Sequence, residues 1–316
     1  MKKKAKYRIR NWRDYNRSLV NRGSLTFWIS QELIANWIEK EKSGERGRSP
    51  RYTAAAIVAM ASLKFVFHQA GRQTCGLVVS VFKLLKVQLP VPDHSTVSRR
   101  MDGVEVGLPV KASRKPRHLV IDSTGLKVYG EGEWKVRTHG VSKRRTWRKL
   151  HLCLDAATGE IMVAAASENS VSDCQMFPEM LRVLGEAKEI EQISADGSYD
   201  RRKVYDALNQ KAIKRAAIPP RQGAKIWQHG NSRKERLIRD ENLRLVRKKG
   251  RAKWKREANY HQRSLAETGV FRFKTVFTDK LQSRKQDNQF QEMIIKCAAL
   301  NRMTHLGMPD SYKVAI

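Results

Sequence analysis

The sequence predicts an α/β protein: a mixed sheet flanked by helices, preceded by a helical region. Three observations carry this. Before about residue 110 the apolar residues recur at helical spacing. Between His118 and Pro220, short apolar runs form first a hairpin and then a strand–helix–strand–helix order. Two of those runs end in an acid, Asp122 and Asp196. Functional side chains of open α/β sheets gather beyond the carboxyl ends of strands.

Composition narrows the class further. The chain has 316 residues, with 63 Lys+Arg against 31 Asp+Glu and a net charge of +32. That length suggests two domains, placed here at residues 1–110 and 111–316. An enzyme of small neutral substrates needs no such field, whereas a polyanion such as nucleic acid explains it. The basic residues are spread along the chain, which argues against a membrane surface. No apolar run approaches the ~20 residues of a membrane span. The basic N-terminus lacks the apolar core of a signal peptide. Cys75, Cys153, Cys174 and Cys297 are scattered, with no C-x-x-C, so neither a zinc site nor a disulfide framework is expected. A reducing cytoplasm is the expected compartment.

Residues 1–23 hold nine Lys or Arg with Trp12 and Tyr15 among them. They read as a basic arm, helical from Trp12, with Lys2 to Lys6 disordered. An amphipathic piece spans Leu25 to Glu41, and residues 42–50 read as a loop. Thr53 is placed to cap a helix through Phe65, broken by Gly71. A second helix carries Leu77 to Leu85. Asp93 caps a third, His94 to Met101, whose Thr96, Ser98, Arg99 and Arg100 suit a helix-turn-helix reader of DNA.

His118–Asp122 then reads as a strand, Ser123–Gly125 as a turn and Leu126–Tyr129 as a further strand. Lys149–Asp155 and Glu160–Ala166 form a hairpin. Asp173–Gly185 reads as a helix, Glu191–Gly197 as a strand, Arg201–Asn209 as a helix and Arg215–Pro220 as the last strand. Arg233–Arg256 contains twelve Lys or Arg and three acids. Arg247, Lys248 and Lys249 sit within it, and it reads as a phosphate-facing surface. A closing helix runs from Asn288 to Leu306.

The stretch Tyr260–Lys274 joins these observations. At about 100° per residue, Tyr260, Arg263, Glu267 and Lys274 fall within roughly 60° on one helical stripe. Leu265, Gly269, Phe273 and Val276 fall opposite, on the expected core face. A helix packed on the sheet can bring Glu267 to Asp122 and Asp196. Three carboxylates meeting there repel unless a cation is present, and hard oxygen ligands select Mg²⁺ or Mn²⁺. Two such ions clamp the attacking and leaving oxygens in phosphoryl transfer. Asp122, on the central strand, would bridge them. Arg263 would hold a phosphate oxygen or orient Glu267, and Lys274 would hold the DNA backbone. By these residues alone, Glu257 or Asp200 could replace an assigned partner.

The spacing Tyr260-x2-Arg263-x3-Glu267-x6-Lys274 resembles the signature of bacterial insertion-sequence transposases of the DDE class. Residues Val120 to Lys135 resemble the first-aspartate region of the insertion sequence five family, close to its nine-oh-three-like branch. Asp196-Gly197-Ser198-Tyr199-Asp200 resembles that family's second-aspartate region. Asn21 to Trp28 and Ile218 to Arg221 look similar too, so the likeness runs in order along nearly the whole chain. It implies an RNase H-like catalytic core, with Asp122, Asp196 and Glu267 as metal ligands. It further implies a transposase that cuts the terminal inverted repeats and joins 3′ ends to target DNA, as a homodimer or larger assembly. A DNA-binding regulator without chemistry and a nuclease without strand transfer are the competing expectations.

Overall fold

The computed structural model describes residues 6–41, 44, 47, 49–128, 147–186, 189–228 and 236–314. The chain divides into two units, Met1–Pro109 with Ala298–Ile316, and Val110–Cys297. The tail from Ala298 onward, expected with the second domain, clusters with the first unit.

In the first unit, β1 (Lys6–Ile9) pairs antiparallel with β8 (Ser311–Val314). Lys6 therefore lies in a strand and not in a disordered arm; residues 1–5 are outside the described residues. Helices α1 (Trp12–Asn21), α2 (Leu25–Trp28) and α3 (Gln31–Ala35) follow. The expected single piece from Leu25 to Glu41 is thus two short helices, with Ser30 capping the second through Leu33 N. α4 (Ala54–Val66) is capped by Thr53, whose hydroxyl accepts from Ala56 N. Gly71 does not break it. The chain turns earlier, at His68 in the left-handed region, and Gly71 opens α5 (Gly71–Leu84). The two helices are bent by 112° across this four-residue connection, the geometry of a helix-turn-helix pair. A longer connection leads to α6 (His94–Arg100), capped by Asp93. Trp37 closes the unit's core: it is fully buried, edge-on to Phe82, and donates to the Pro90 carbonyl at 2.9 Å. No single helix among the described residues is long and apolar enough to cross a membrane.

The second unit is built on a mixed sheet. Its strands are β2 (Arg117–Val128), β3 (Trp147–Asp155), β4 (Ile161–Glu168), β5 (Ile190–Ser194) and β6 (Ala216–Ala217), in the order β4-β3-β2-β5-β6. β3 and β4 run antiparallel to their neighbours, while β5 and β6 run parallel to β2. Three antiparallel strands followed by two parallel ones, with the first strand central, is the RNase H-like arrangement. The Ser123–Gly125 turn does not form. β2 continues through it because Leu119–Lys127 pairs residue by residue with Asp155–Trp147, and a full ladder overrides a local turn tendency.

Alternation along the strands sorts the two faces. Leu119, Ile121, Cys153 and Ile193 point into a core closed by α7 (Asp173–Val183) and α8 (Arg202–Gln210), which contribute Phe177, Met180, Val204 and Leu208. The opposite face carries Val120, Asp122, Leu152 and Leu154. There α11 (Ser264–Phe277) packs, burying Ala266, Gly269, Phe273 and Phe277. After α11, β7 (Lys280–Leu281) pairs with Lys127 and Val128 of β2, and α12 (Gln286–Leu306) closes the chain's helices. The buried stripe of α11 is shifted from the expected one: Leu265 is exposed and Ala266 buried. The expected phase assumed one helix from Tyr260. Instead Tyr260–Arg263 is a tighter 3₁₀ turn, with about 120° per residue.

Gly269 allows the helix to lie this close to the sheet, since a Cβ there would collide with the buried Leu154 side chain. Gly269→Ala is expected to cost about 1–3 kcal/mol of stability by overpacking, measured by chemical denaturation.

Candidate active site

Asp122 stands on the central strand at a gap in its pairing. On one edge β2 pairs with β5 up to Val120 and with β7 only from Lys127. Among the described residues, positions 121–126 have no strand on that edge. Val120 lies opposite Ser194, so Asp122 and Asp196 are each two residues beyond a matched pair and on the same face. Asp196 continues the extended backbone of β5 and caps the 3₁₀ turn Gly197–Tyr199, its Oδ1 accepting from Ser198 N at 2.8 Å. Asp122 Oδ1 likewise accepts from Ser123 N at 2.9 Å. Glu267 arrives from the first turn of α11.

The side chains form one electrostatic cluster. Burial raises the Asp122 carboxyl above its ordinary pKa; the Ser123 amide and Arg263 oppose this, while Asp196 and Glu267 add to it. Tyr260 belongs to the same cluster. Burial raises its phenol first, Arg263 lowers it, and Asp196, Asp122 and Glu267 raise it again. Arg263 lies between two of the acids. Its Nη1 is 3.5 Å from Asp122 Oδ2, and its Nη2 donates to Glu267 Oε1. Asp122 and Arg263 are each 19 % exposed, and Glu267 is 58 % exposed. Lys274 is about two turns further along α11. It lies near Asp279, whose carboxylate is held low chiefly by a hydrogen bond from Lys127.

Among the described residues, no three His, Cys, Asp or Glu side chains converge as a ready coordination shell. Arg263 supplies the positive charge between Asp122 and Glu267, and Ser198 engages Asp196. The donor chemistry nonetheless suits a hard divalent cation: a desolvated carboxylate, Asp122, that feels the negative charges of Asp196 and Glu267.

The two substitute acids considered from sequence are otherwise engaged. Glu257 pairs with Lys249 at the surface, 2.7 Å apart. Asp200 is buried and accepts from Arg239 Nε and Arg221 N, both at 2.9 Å. Arg239 also contacts buried Asp240 at 3.2 Å and stacks on Trp227 with 3.8 Å to the ring centroid. Arg202 lies over the same ring at 4.6 Å. Because Asp200 ends the 3₁₀ turn that Asp196 begins, this network fixes the far end of the Asp196 turn.

Arg239 corrects the reading of the basic run as wholly phosphate-facing, for it is an interior residue. The run forms α9 (Ile238–Lys249) and α10 (Arg251–Glu257); residues 233–235 lie outside the described residues. Of the three marked cations, Lys248 is exposed, Arg247 donates to the Ala224 carbonyl at 2.9 Å and Lys249 is the partner of Glu257. The sequence holds a further basic stretch, Lys135–His151, with Trp134 beside it and Trp147 within it; residues 129–146 lie outside the described residues, and Trp147–His151 falls in β3. In α6, Ser98 and Arg99 are exposed, Thr96 is half-buried and 3.5 Å from Arg99, and Arg100 donates inward to the Tyr52 carbonyl.

Two protein-family models, both described as "Transposase DDE domain", match residues 20–131 and 113–302. The chain belongs to this family of DDE transposases. It is an enzyme that cleaves and transfers DNA strands with the help of a divalent metal. Among solved structures it is similar to the piggyBac transposase in a synaptic complex with hairpin DNA. The identity is 12 %, the TM-score 0.41, and the match covers 90 % of this chain and 73 % of that one. The Mos1 transposase paired-end complex with the left transposon end is similar at 13 % identity and a TM-score of 0.23, over 75 % and 82 % of the two chains.

Removing Arg239 leaves two buried carboxylates without their cation. Arg239→Met is expected to cost about 3–5 kcal/mol, read from thermal or denaturant unfolding of the folded variant against wild type.

Proposed function

We propose that this transposase binds the terminal inverted repeats of its own insertion sequence, cleaves the DNA at its ends and transfers the 3′ strands to target DNA. The observation that carries this reading is the coupling of Asp122, Asp196 and Glu267 around the gap in the central strand. Asp122, Asp196 and Glu267 would hold the divalent ions, two Mg²⁺ or Mn²⁺. When bound, these ions supply Lewis-acid polarisation of the scissile phosphate and of the attacking oxygen. The remaining work falls to the protein's own groups. Arg263, placed between Asp122 and Glu267, would bind a phosphate oxygen. Tyr260 lines the site beside it, and Lys274 and Lys248 grip the DNA backbone without reading sequence. Ser98 and Arg99 on α6, with Thr96, face the bases of the terminal repeat; Arg100 secures that helix through Tyr52. The spacing of the Tyr260, Arg263, Glu267 and Lys274 signature supports membership of the insertion sequence five family. Synapsis of two ends calls for a homodimer or larger assembly. The working compartment is a bacterial cytoplasm, at the nucleoid, and not a membrane.

Asp122→Ala, Asp196→Ala and Glu267→Ala are each expected to abolish cleavage of element-end DNA in Mg²⁺ while leaving DNA binding largely intact. Cleavage by any one variant near the wild-type rate removes that residue from the set. Excess chelator is expected to stop cleavage, and Ca²⁺, larger and looser in its coordination, to allow assembly with little chemistry. Detection of joined products alongside cleaved ends separates a transposase from a nuclease. Neutralising Arg247, Lys248 and Lys249 together is expected to weaken specific and random DNA alike. It should lower the salt slope by up to about 0.9 per lost phosphate contact. An unchanged slope in binding titrations would assign these residues to the surface alone.

A further inference from the structure

We infer that Gln192 is a positioning residue for the Tyr260–Arg263 turn, holding Arg263 and Glu267 at the height of Asp122 and Asp196. The inference rests on the reading of those residues given above. Gln192 is buried on β5, directly opposite His118 of β2. Counting by twos along each strand, His118 shares the face of Asp122, and Gln192 and Ser194 share the face of Asp196. A polar layer therefore lies beneath the acids, on the sheet face that α11 covers.

The layer is hydrogen-bonded throughout. Gln192 Nε2 donates to the Ala258 carbonyl at 2.8 Å and to Ser194 Oγ at 3.1 Å. Ser194 Oγ is 2.7 Å from His118 Nε2, and Gln192 Nε2 is 3.3 Å from the same nitrogen. His118 also hydrogen-bonds the Gln262 side chain. Burial holds the imidazole below its ordinary pKa, which favours the neutral ring. A neutral ring with Nε2 as acceptor orders the donors in one direction, from Gln192 through Ser194 to His118.

These contacts bracket one short segment. Ala258 follows α10, Asn259 reverses the chain in the left-handed region, and Tyr260–Arg263 leads into α11. Gln192 fixes the main chain before the turn, and His118 holds a side chain within it. An apolar residue at 192 would leave the Ala258 carbonyl without its donor and free the turn to slide along the sheet. Displacement by about 1 Å is enough to cost a reaction as much as 100-fold.

The test uses full-length Gln192→Met, which keeps length and volume but removes the donor. Single-turnover cleavage is measured at saturating duplex carrying the DNA that flanks the gene, with Mg²⁺. Alongside it come DNA affinity, thermal unfolding and amide hydrogen exchange of residues 259–267. Cleavage should fall at least about tenfold, with affinity within about twofold and faster exchange confined to 259–267. Cleavage within about twofold of wild type, or losses of binding and folding that match the loss of cleavage, would overturn the inference. Should the Met variant not fold, Ser194→Ala removes the relay to His118 at smaller cost in volume. It should show the same pattern to a lesser degree, and wild-type cleavage there counts against the inference. Glu267→Gln run in parallel keeps the two readings apart. If it cleaves normally, the assignment of Glu267 fails; if it is dead while Gln192→Met is normal, only the role of Gln192 fails.

Discussion

The burial of the Asp122 carboxylate beside the charges of Asp196 and Glu267 is the constraint that the second unit is arranged to withstand. Three carboxylates, one of them largely removed from water, do not stay together without compensation. Here the compensation is a single guanidinium, Arg263, between Asp122 and Glu267, together with backbone amides at Ser123 and Ser198. In the proposed complex with DNA, a cation held by the acids and a phosphate held by Arg263 would satisfy the same charges in another way.

Holding such a cluster requires rigid support, and the sheet supplies it from several sides. The ladder with β3 runs along β2 on both sides of Asp122. The Asp200–Arg239–Asp240 group anchors the turn that Asp196 caps. The His118–Ser194–Gln192 layer ties down the approach to Arg263. Gly269 permits α11 to sit against Leu154. Each device lies within a few residues of an acid, and each is buried or half-buried. Low local dielectric makes fully satisfied networks rigid and partly satisfied ones costly.

The net charge of +32 has a different distribution from the one a linear count suggests. Within α9, Arg239 is interior and charge-compensated, while Arg247 and Lys249 are tied to a carbonyl and a carboxylate. A run of basic residues therefore contains structural cations as well as solvent-facing ones. Helical phase alone does not separate them, because the burial of Arg239 depends on Asp200 and Trp227, which are remote or out of phase in the sequence.

Much of this was readable from residue order. Period and composition located the principal helices and the main strands and the caps at Thr53 and Asp93; of the two acids expected at strand ends, Asp122 instead lies inside β2 and Asp196 two residues past β5. Those features are local: a hydroxyl or carboxylate caps the helix beside it, and an apolar run shows its period within a few residues. The uninterrupted β2, the pairing of β1 with β8 and the 3₁₀ turn at Tyr260 were not readable. The strands depend on partners supplied by distant segments, and the turn depends on its packing. The roles of Asp200, Gln192 and His118 were hidden for the same reason. In sequence these are an acid, an amide and an imidazole with no period; only the fold brings Asp200 to Arg239 and Gln192 to Ala258. The sequence by itself determined which residue types the site has available and roughly which elements carry them. The tertiary structure alone decided which of them meet, because desolvation and distance, not order along the chain, set the interaction between charges.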